Sequence, residues 1–278
     1  MEPDVAPLAT LAQIQETPSA RDGIPSELEE DLRAYGAKLI QQAGVLLKQK
    51  QVAMSTAQVL FQRFWYTSSM EKYGIAEIGM GALYLASKLE ECPLRMRDVI
   101  NVYDVLIQRS RQSTSSRDFK YEPMSYFSQD YYDMKDILII AEMQLLKRLG
   151  FDVHVTLPYG TLINYMRVLN LLEDTKACQM AWGYLNDALQ TPVYAIYPIP
   201  VIVCASILLV IRHLKLEIPS SQEDSPSWWD LFDAPFEDVW LVANLVVRLY
   251  RPRSQSDQNR VMQLLTKKDV RRWLDENA

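Results

Sequence analysis

Lys88 and Glu142 are the two residues whose type and surroundings point to chemistry. Lys88 lies in Ile78-Gly-Met-Gly-Ala-Leu-Tyr-Leu-Ala-Ser-Lys-Leu-Glu-Glu91. There Gly81, Tyr84, Leu85, Lys88 and Leu89 share one face of a 3.6-residue helix, so an ammonium group interrupts an otherwise apolar stripe. Glu142 lies in Asp136–Gly150, whose Leu138, Ala141, Leu145, Leu146 and Leu149 form a second stripe at helical spacing. A cation and an anion in the seams of two apolar helices satisfy one another as a partly buried pair. Such a pair is either a purely structural ion pair or, at the rim of a bundle, a device whose remaining donors and acceptors hold the backbone ends of a partner's helix or loop. Composition does not separate these two roles.

Catalysis has no comparable candidate. A nucleophilic or acid–base enzyme aligns a base with a nucleophile or water, and the chain has only His154 and His213, neither in a recognisable setting. There is no Gly-x-x-x-x-Gly-Lys-Ser/Thr, no Gly-x-Gly-x-x-Gly and no kinase catalytic-loop motif. Glu29-Glu30 and Glu90-Glu91 point in different directions on a helix and read as solvated caps. Cys92, Cys178 and Cys204 are far apart, odd in number and without a Cys-x-x-Cys, so neither a disulfide framework nor a structural zinc site is expected, and reducing intracellular conditions fit. No catalytic residue, metal or cofactor is predicted. Trp228-Trp229 reads as aromatic core filling rather than a binding platform. Ser110–Gln129, with Arg111, Arg117 and Lys120 among serines and threonines just past Arg109, reads as a long exposed linker rather than a phosphate contact or a phosphorylated segment.

The elements that position the pair follow from composition and period. In 278 residues, 49% are hydrophobic and 23% charged, which is ordinary globular usage, and only 9 are glycine, which disfavours many-turned β folds and favours helix. The formal charge of -6 does not recommend a phosphate backbone as main partner, so no direct nucleic-acid binding is expected. No basic region followed by an apolar core opens the chain, so no secretory signal is expected. The most lipophilic run, Ile199–Ile211, is about 13 residues against roughly 20 for a membrane span and is set off by Pro198 and Pro200. It is predicted to be a buried central helix, and no membrane partner is expected.

Residues 1–25, with four prolines and little periodicity, read as a flexible arm. Ser26 is the expected cap of a helix over Leu28–Lys50. Further helices are predicted over Thr56–Tyr66, Ile78–Glu91, Arg95–Arg109 and Asp130–Leu149, the last ending at Gly150 in a left-handed terminus. The pattern then restarts from His154: Pro158–Leu172, Thr175–Gln190, Pro200–Leu214, Trp228–Phe232 and Pro235–Tyr250, with Gln258–Leu274 closing the chain. A faint internal repeat lays Met80–Lys88 over Cys204–Arg212 and Ala141–Leu149 over Val242–Tyr250, so Arg212 matches Lys88 while Ala243 replaces Glu142. The prediction is an all-α, duplicated five-helix bundle, each half built round an apolar third helix.

These residues resemble a known family. Leu85-Ala-Ser-Lys-Leu-Glu-Glu91 followed by Ala141-Glu-Met-Gln-Leu-Leu-Lys-Arg-Leu-Gly-Phe151 resembles the cyclin box. Glu30–Gly36, Gln58–Phe64 and Arg95–Val102 look most like the L-type, transcription and splicing, cyclins. The resemblance spans about residues 26–250. It implies two tandem cyclin boxes, 26–153 and 154–252, between the arm (1–25) and a C-terminal helical extension (253–278). It also implies a nuclear, non-catalytic subunit that binds and activates a cyclin-dependent protein kinase in RNA polymerase II transcription or pre-mRNA splicing, with Leu85, Lys88, Leu89, Glu142, Leu146 and Phe151 binding the kinase. L-type members commonly continue into an arginine- and serine-rich tail, which the residues up to Ala278 do not include, so recruitment through such a tail is not expected of them. The first helix also lacks the Met-Arg-Ala-Ile-Leu patch with which cell-cycle cyclins dock substrates. Two other classes compete: a transcription factor IIB-like core, which predicts a basic second half and a zinc ribbon, neither of which is found here, and a helical scaffold without a kinase, which leaves Lys88 and Glu142 unexplained.

Overall fold

The computed structural model describes residues 9–112, 119–216 and 227–277, and among them there are helices and no strand. The helices are α1 (Leu11–Gln15), α2 (Pro18–Arg21), α3 (Ser26–Leu46), α4 (Gln51–Phe64), α5 (Ile75–Leu89), α6 (Met96–Arg111), α7 (Gln129–Arg148), α8 (Tyr159–Val168), α9 (Thr175–Ala188), α10 (Val193–Ile196), α11 (Ile199–Leu214), α12 (Phe236–Arg248), α13 (Gln255–Gln263) and α14 (Lys267–Asn277). They form two compact units, one of residues 9–153 with 252–278 and the other centred on residues 154–251.

The first unit is built round α5, in which every residue from Ile75 to Ser87 is buried except Glu77 and Tyr84. Its apolar and small side chains let α3, α4, α6 and α7 close on it from all sides. Helix α4 is buried without a break from Ala53 to Phe64, and Phe61 and Phe64 meet Trp65 edge to face at 5.5 and 5.2 Å. No side chain caps α3, which starts at Ser26 behind Pro25; the expected Ser26 cap is replaced by the proline's fixed backbone.

Three expectations change here. Of the segment 1–25, read as a flexible arm, residues 1–8 lie outside the described residues, while residues 9–25 carry α1 and α2 and are pinned to the bundle. The Ser19 hydroxyl accepts from the Met70 N–H at 3.2 Å, and the Gln13 amide donates to the Tyr66 carbonyl at 3.2 Å. Glu29, read as a solvated cap, is buried: it accepts from Arg33 at 3.2 Å and from the Thr17 hydroxyl at 2.5 Å. Arg33 donates further to the side chain and carbonyl of Gln62 at 3.1 and 2.8 Å and lies 4.3 Å from the centroid of the Tyr66 ring. The C-terminal helices, read as an extension after the second half, pack into the first unit, where the Leu265 carbonyl accepts from the Ala76 N–H at 3.0 Å and so caps the start of α5. Val261, Leu264, Leu265 and Val270 are buried there.

Residues 113–118 of the expected Ser110–Gln129 linker lie outside the described residues. The part that follows is held to α6: the Tyr121 hydroxyl donates to Asp104 at 3.0 Å, and the Gln108 amide donates to the Glu122 carbonyl at 3.0 Å.

The second unit repeats the plan with α11 at its centre, buried from Val201 to Leu208, and with α8, α9, α10 and α12 around it. The Pro-flanked run is thus a core helix, as its length required. The segment Trp228–Phe232, predicted helical, is a single 3-10 turn over Asp230–Phe232, and Phe232 stacks on Tyr165 at 3.8 Å. Trp228 and Trp229 stay half-exposed rather than filling the core.

Candidate functional site

The site begins where α5 and α7 cross. A Cβ on Gly81 would stand 2.7 Å from the Ala141 Cβ and 3.0 Å from the Glu142 backbone nitrogen, so only glycine lets the two backbones touch. That contact sets Glu142 beside α5. Lys88 lies two turns further along, and side chains on a helix lean toward its N-terminus. Its stem accordingly runs back over the Tyr84 ring, with Nζ 4.1 Å from the ring centroid, and Nζ donates to Glu142 Oε1 at 2.5 Å.

The Lys88 side chain is 42% exposed and that of Glu142 17%. The predicted pair therefore exists, and it is a rim pair rather than a core pair. An ammonium has three N–H donors and a carboxylate two oxygens. One donor and one oxygen are committed to each other, which leaves capacity facing outward beside an aromatic ring.

Around the pair the surface is apolar. Helix α7 carries two stripes. Leu138, Ala141 and Leu145 are buried against α5. Tyr132, Ile139, Met143 and Leu146, spaced seven, four and three residues apart, lie on an adjacent face, and the first three are 50%, 44% and 53% exposed. That spacing is the seam spacing of paired helices, here left exposed among the described residues. Glu142 stands between the two stripes.

The other expected residues divide. Leu89 and Phe151 are exposed and Leu146 is half-buried. Leu85 is a correction: it is 4% exposed, packed into the core one turn before Leu89, and presents no surface to a partner. Phe151 is 72% exposed and has φ +62°, following Gly150, also at φ +62°. A phenylalanine in the left-handed region carries strain of about 1–2 kcal/mol. It is held by its N–H donating to the Leu146 carbonyl at 2.8 Å. In the next residue Asp152 opposes the fall that burial imposes on the pKa of Arg63, so α4 is coupled electrostatically to this turn.

Sequence reasoning missed Tyr132, Ile139 and Met143. The signal was present: Ile137-Leu-Ile-Ile140 is a continuous apolar run, and a helix with one buried face must expose part of it. His154 and His213 are both exposed. Among the described residues no group of His, Cys, Asp and Glu has metal-binding geometry, and no helix is long and apolar enough to cross a membrane.

Residues 9–154 match the family described as the cyclin N-terminal domain. Human cyclin-L2 is 41% identical over 234 residues, covering 84% of this chain and 43% of that protein. Cyclin-L1 of Danio rerio is 40% identical over 248 residues, covering 88% and 47%. The chain thus spans less than half the length of these relatives. Among solved structures, a chain of the yeast RNA Pol II CTD kinase CTDK-1 complex superposes with a TM-score of 0.66 at 20% identity, covering 88% of this chain and 73% of that one, a likeness of fold. The chain belongs to the cyclin family and within it resembles the L-type members.

Proposed function

We propose that this chain is the regulatory, non-catalytic subunit of a cyclin-dependent protein kinase, acting in the nucleus in RNA polymerase II transcription or pre-mRNA splicing. On this reading residues 26–153 are the first cyclin box and 154–252 the second. The carrying observation is the second apolar stripe of α7, exposed beside the Lys88–Glu142 pair: a helix face with seam spacing, next to a cation and an anion able to hold the polar ends of an incoming helix. Lys88, Leu89, Glu142, Leu146 and Phe151 bind the kinase, joined by Tyr132, Ile139 and Met143. Docking there selects the kinase conformation in which its C-helix glutamate reaches the nucleotide-anchoring lysine, a population shift rather than a chemical step. The name of the yeast RNA Pol II CTD kinase complex, one chain of which shares this fold, supports the transcriptional setting.

The test is co-purification from cell extract of the wild-type chain and a Lys88→Ala/Glu142→Ala variant, with kinase activity assayed on an RNA polymerase tail peptide and a splicing-factor peptide. The expected outcome is kinase with the wild type and none with a variant whose circular dichroism is unchanged; the preferred peptide then chooses between transcription and splicing. Equal recovery with both proteins would reduce the pair to a structural feature.

A further inference from the structure

The second unit carries a surface that the kinase reading does not use. Among the described residues from Ser227 to Val247 there are four carboxylates, Asp230, Asp233, Glu237 and Asp238, and no lysine, arginine or histidine. Within that stretch four aromatic rings run in a row: Trp228 meets Trp229 at 5.5 Å, Trp229 meets Phe236 at 4.7 Å, and Phe236 stacks near Trp240 at 6.3 Å. The two tryptophans of the turn are half-exposed, and Phe236 and Trp240 are each 39% exposed. Phe236 and Trp240 are four residues apart on α12 and so share a face, with Glu237 on its flank; Asp230 and Asp233, both exposed, lie between the tryptophans and that helix.

The repeat shows what these rings accept. Arg212 occupies the position in α11 that Lys88 occupies in α5, and Ala243 stands where Glu142 would. Without a carboxylate partner there, the Arg212 guanidinium lies over the Trp240 ring, 4.3 Å from its centroid. A ring of this row therefore takes a guanidinium as partner, and the surrounding carboxylates favour cations and repel phosphate. A planar guanidinium stacks on indole while its N–H groups reach carboxylates, a combination that a compact ammonium does not match.

We infer that the Trp228–Trp240 face is a docking site for an arginine-rich, unphosphorylated peptide segment of another protein. Arginines of the segment stack on the rings that Arg212 leaves uncovered, Trp228, Trp229 and Phe236, beside the guanidinium already on Trp240, and Asp230, Asp233 and Glu237 neutralise them. The site lies in the second unit and is independent of the kinase reading.

The experiment titrates the full chain into a fluorescently labelled peptide of eight Arg-Gly repeats, with Lys-Gly and citrulline-Gly peptides of equal length as comparators. The arginine peptide binds, the lysine peptide binds at least about fivefold more weakly, and the citrulline peptide does not bind. Trp229→Leu, which keeps an apolar side chain in place and leaves the Arg212–Trp240 contact intact, weakens arginine binding about fivefold and abolishes the preference over lysine. Asp230→Asn/Asp233→Asn/Glu237→Gln, which leaves the rings intact, weakens both cationic peptides. Lys88→Ala/Glu142→Ala leaves all three titrations unchanged, so this site and the kinase site fail separately. Equal binding of arginine and lysine peptides, or binding insensitive to both second-unit variants, would mean diffuse electrostatic attraction and overturn the proposal, as would no binding of the arginine peptide.

Discussion

Two ion pairs in the first unit have opposite energetics, and the difference is burial. Lys88 is 42% exposed, so its attraction to Glu142 is screened by water, and such pairs contribute about 0–1 kcal/mol. Lys88→Ala is therefore expected to shift the urea midpoint by less than about 1 kcal/mol equivalent, and any loss of kinase capture then reports on the surface rather than on folding. Arg33 and Glu29 have side chains only 4% and 5% exposed. Removing one charge leaves the other buried and unpaired, so Glu29→Ala is expected to cost about 3–5 kcal/mol in the same titration; a loss below 1 kcal/mol would contradict the burial. Phe151 gives a third case. Phe151→Gly relieves the left-handed strain and removes an exposed ring, so thermal stability holds or rises by up to about 1 kcal/mol while partner capture weakens. Parallel loss of stability and capture would assign the ring a packing role. These contrasts were only partly legible in the sequence. Lys88 and Glu142 stood out because each breaks an apolar stripe. Glu29 did not, because acids are also favoured in a first helical turn; Thr17, which donates to it, and Gln62, which holds its partner Arg33, are brought near only by the fold. Leu85 and Leu89 share one stripe, and period gives the face of a helix but not the depth at which each turn lies.

At the scale of elements, the geometry of the site is the geometry of the α5–α7 crossing. Both helices were evident from their period, and Gly81 was evident as a small residue on the inward face. That Gly81 meets Ala141, and so sets Glu142 within reach of Lys88, is a matter of interhelical register, which no single helix encodes. Gly81→Ala would place a methyl group 2.7 Å from the Ala141 Cβ and 3.0 Å from backbone atoms of α7. Backbone atoms do not step aside as a flexible side chain does, so α7 must shift, at about 1–3 kcal/mol. The expected result is a lower urea midpoint together with weakened kinase capture, although no contacting side chain has changed. Gly160→Ala is the matched control: its Cβ meets nothing within 4 Å and it lies within helix α8, so it is expected to be neutral or stabilising by about 0.5–1 kcal/mol. If both substitutions behaved alike, the close crossing would not be what positions the pair.

For the whole molecule, the duplication was readable because two apolar central helices, α5 and α11, repeat the same order of small residues, apolar residues and a terminal base. The repeat does not extend to the surfaces: the first half keeps a carboxylate opposite its base, and the second puts an indole there. What the sequence did not reveal is that its last helices complete the first unit. A polar, short amphipathic piece reads as an appendage, and its destination depends on contacts nearly two hundred residues away in the chain. The Lys267 N–H donates to Glu77 at 3.4 Å, and Arg271 donates to the Glu71 carbonyl at 3.0 Å. Arg253 pairs with Asp31 at 2.5 Å. Ending the chain after Arg251 would strip four buried apolar side chains from the first unit and leave the first turn of α5 without its carbonyl partner. Burial of such side chains stabilises by about 1.5–3 kcal/mol each before the entropy of ordering the segment is subtracted. A net loss of at least about 3 kcal/mol is expected, which for a unit of this size lowers its melting temperature by roughly 6 °C or more. Because α5 carries Lys88, kinase capture should fall with it, and a synthetic peptide of residues 252–278 added in trans should restore both. Calorimetry on the shortened chain decides the matter: an unchanged melting profile would make the C-terminal helices an appendage after all, whereas a lowered transition rescued by the peptide would make them part of the scaffold that holds the docking helix in place.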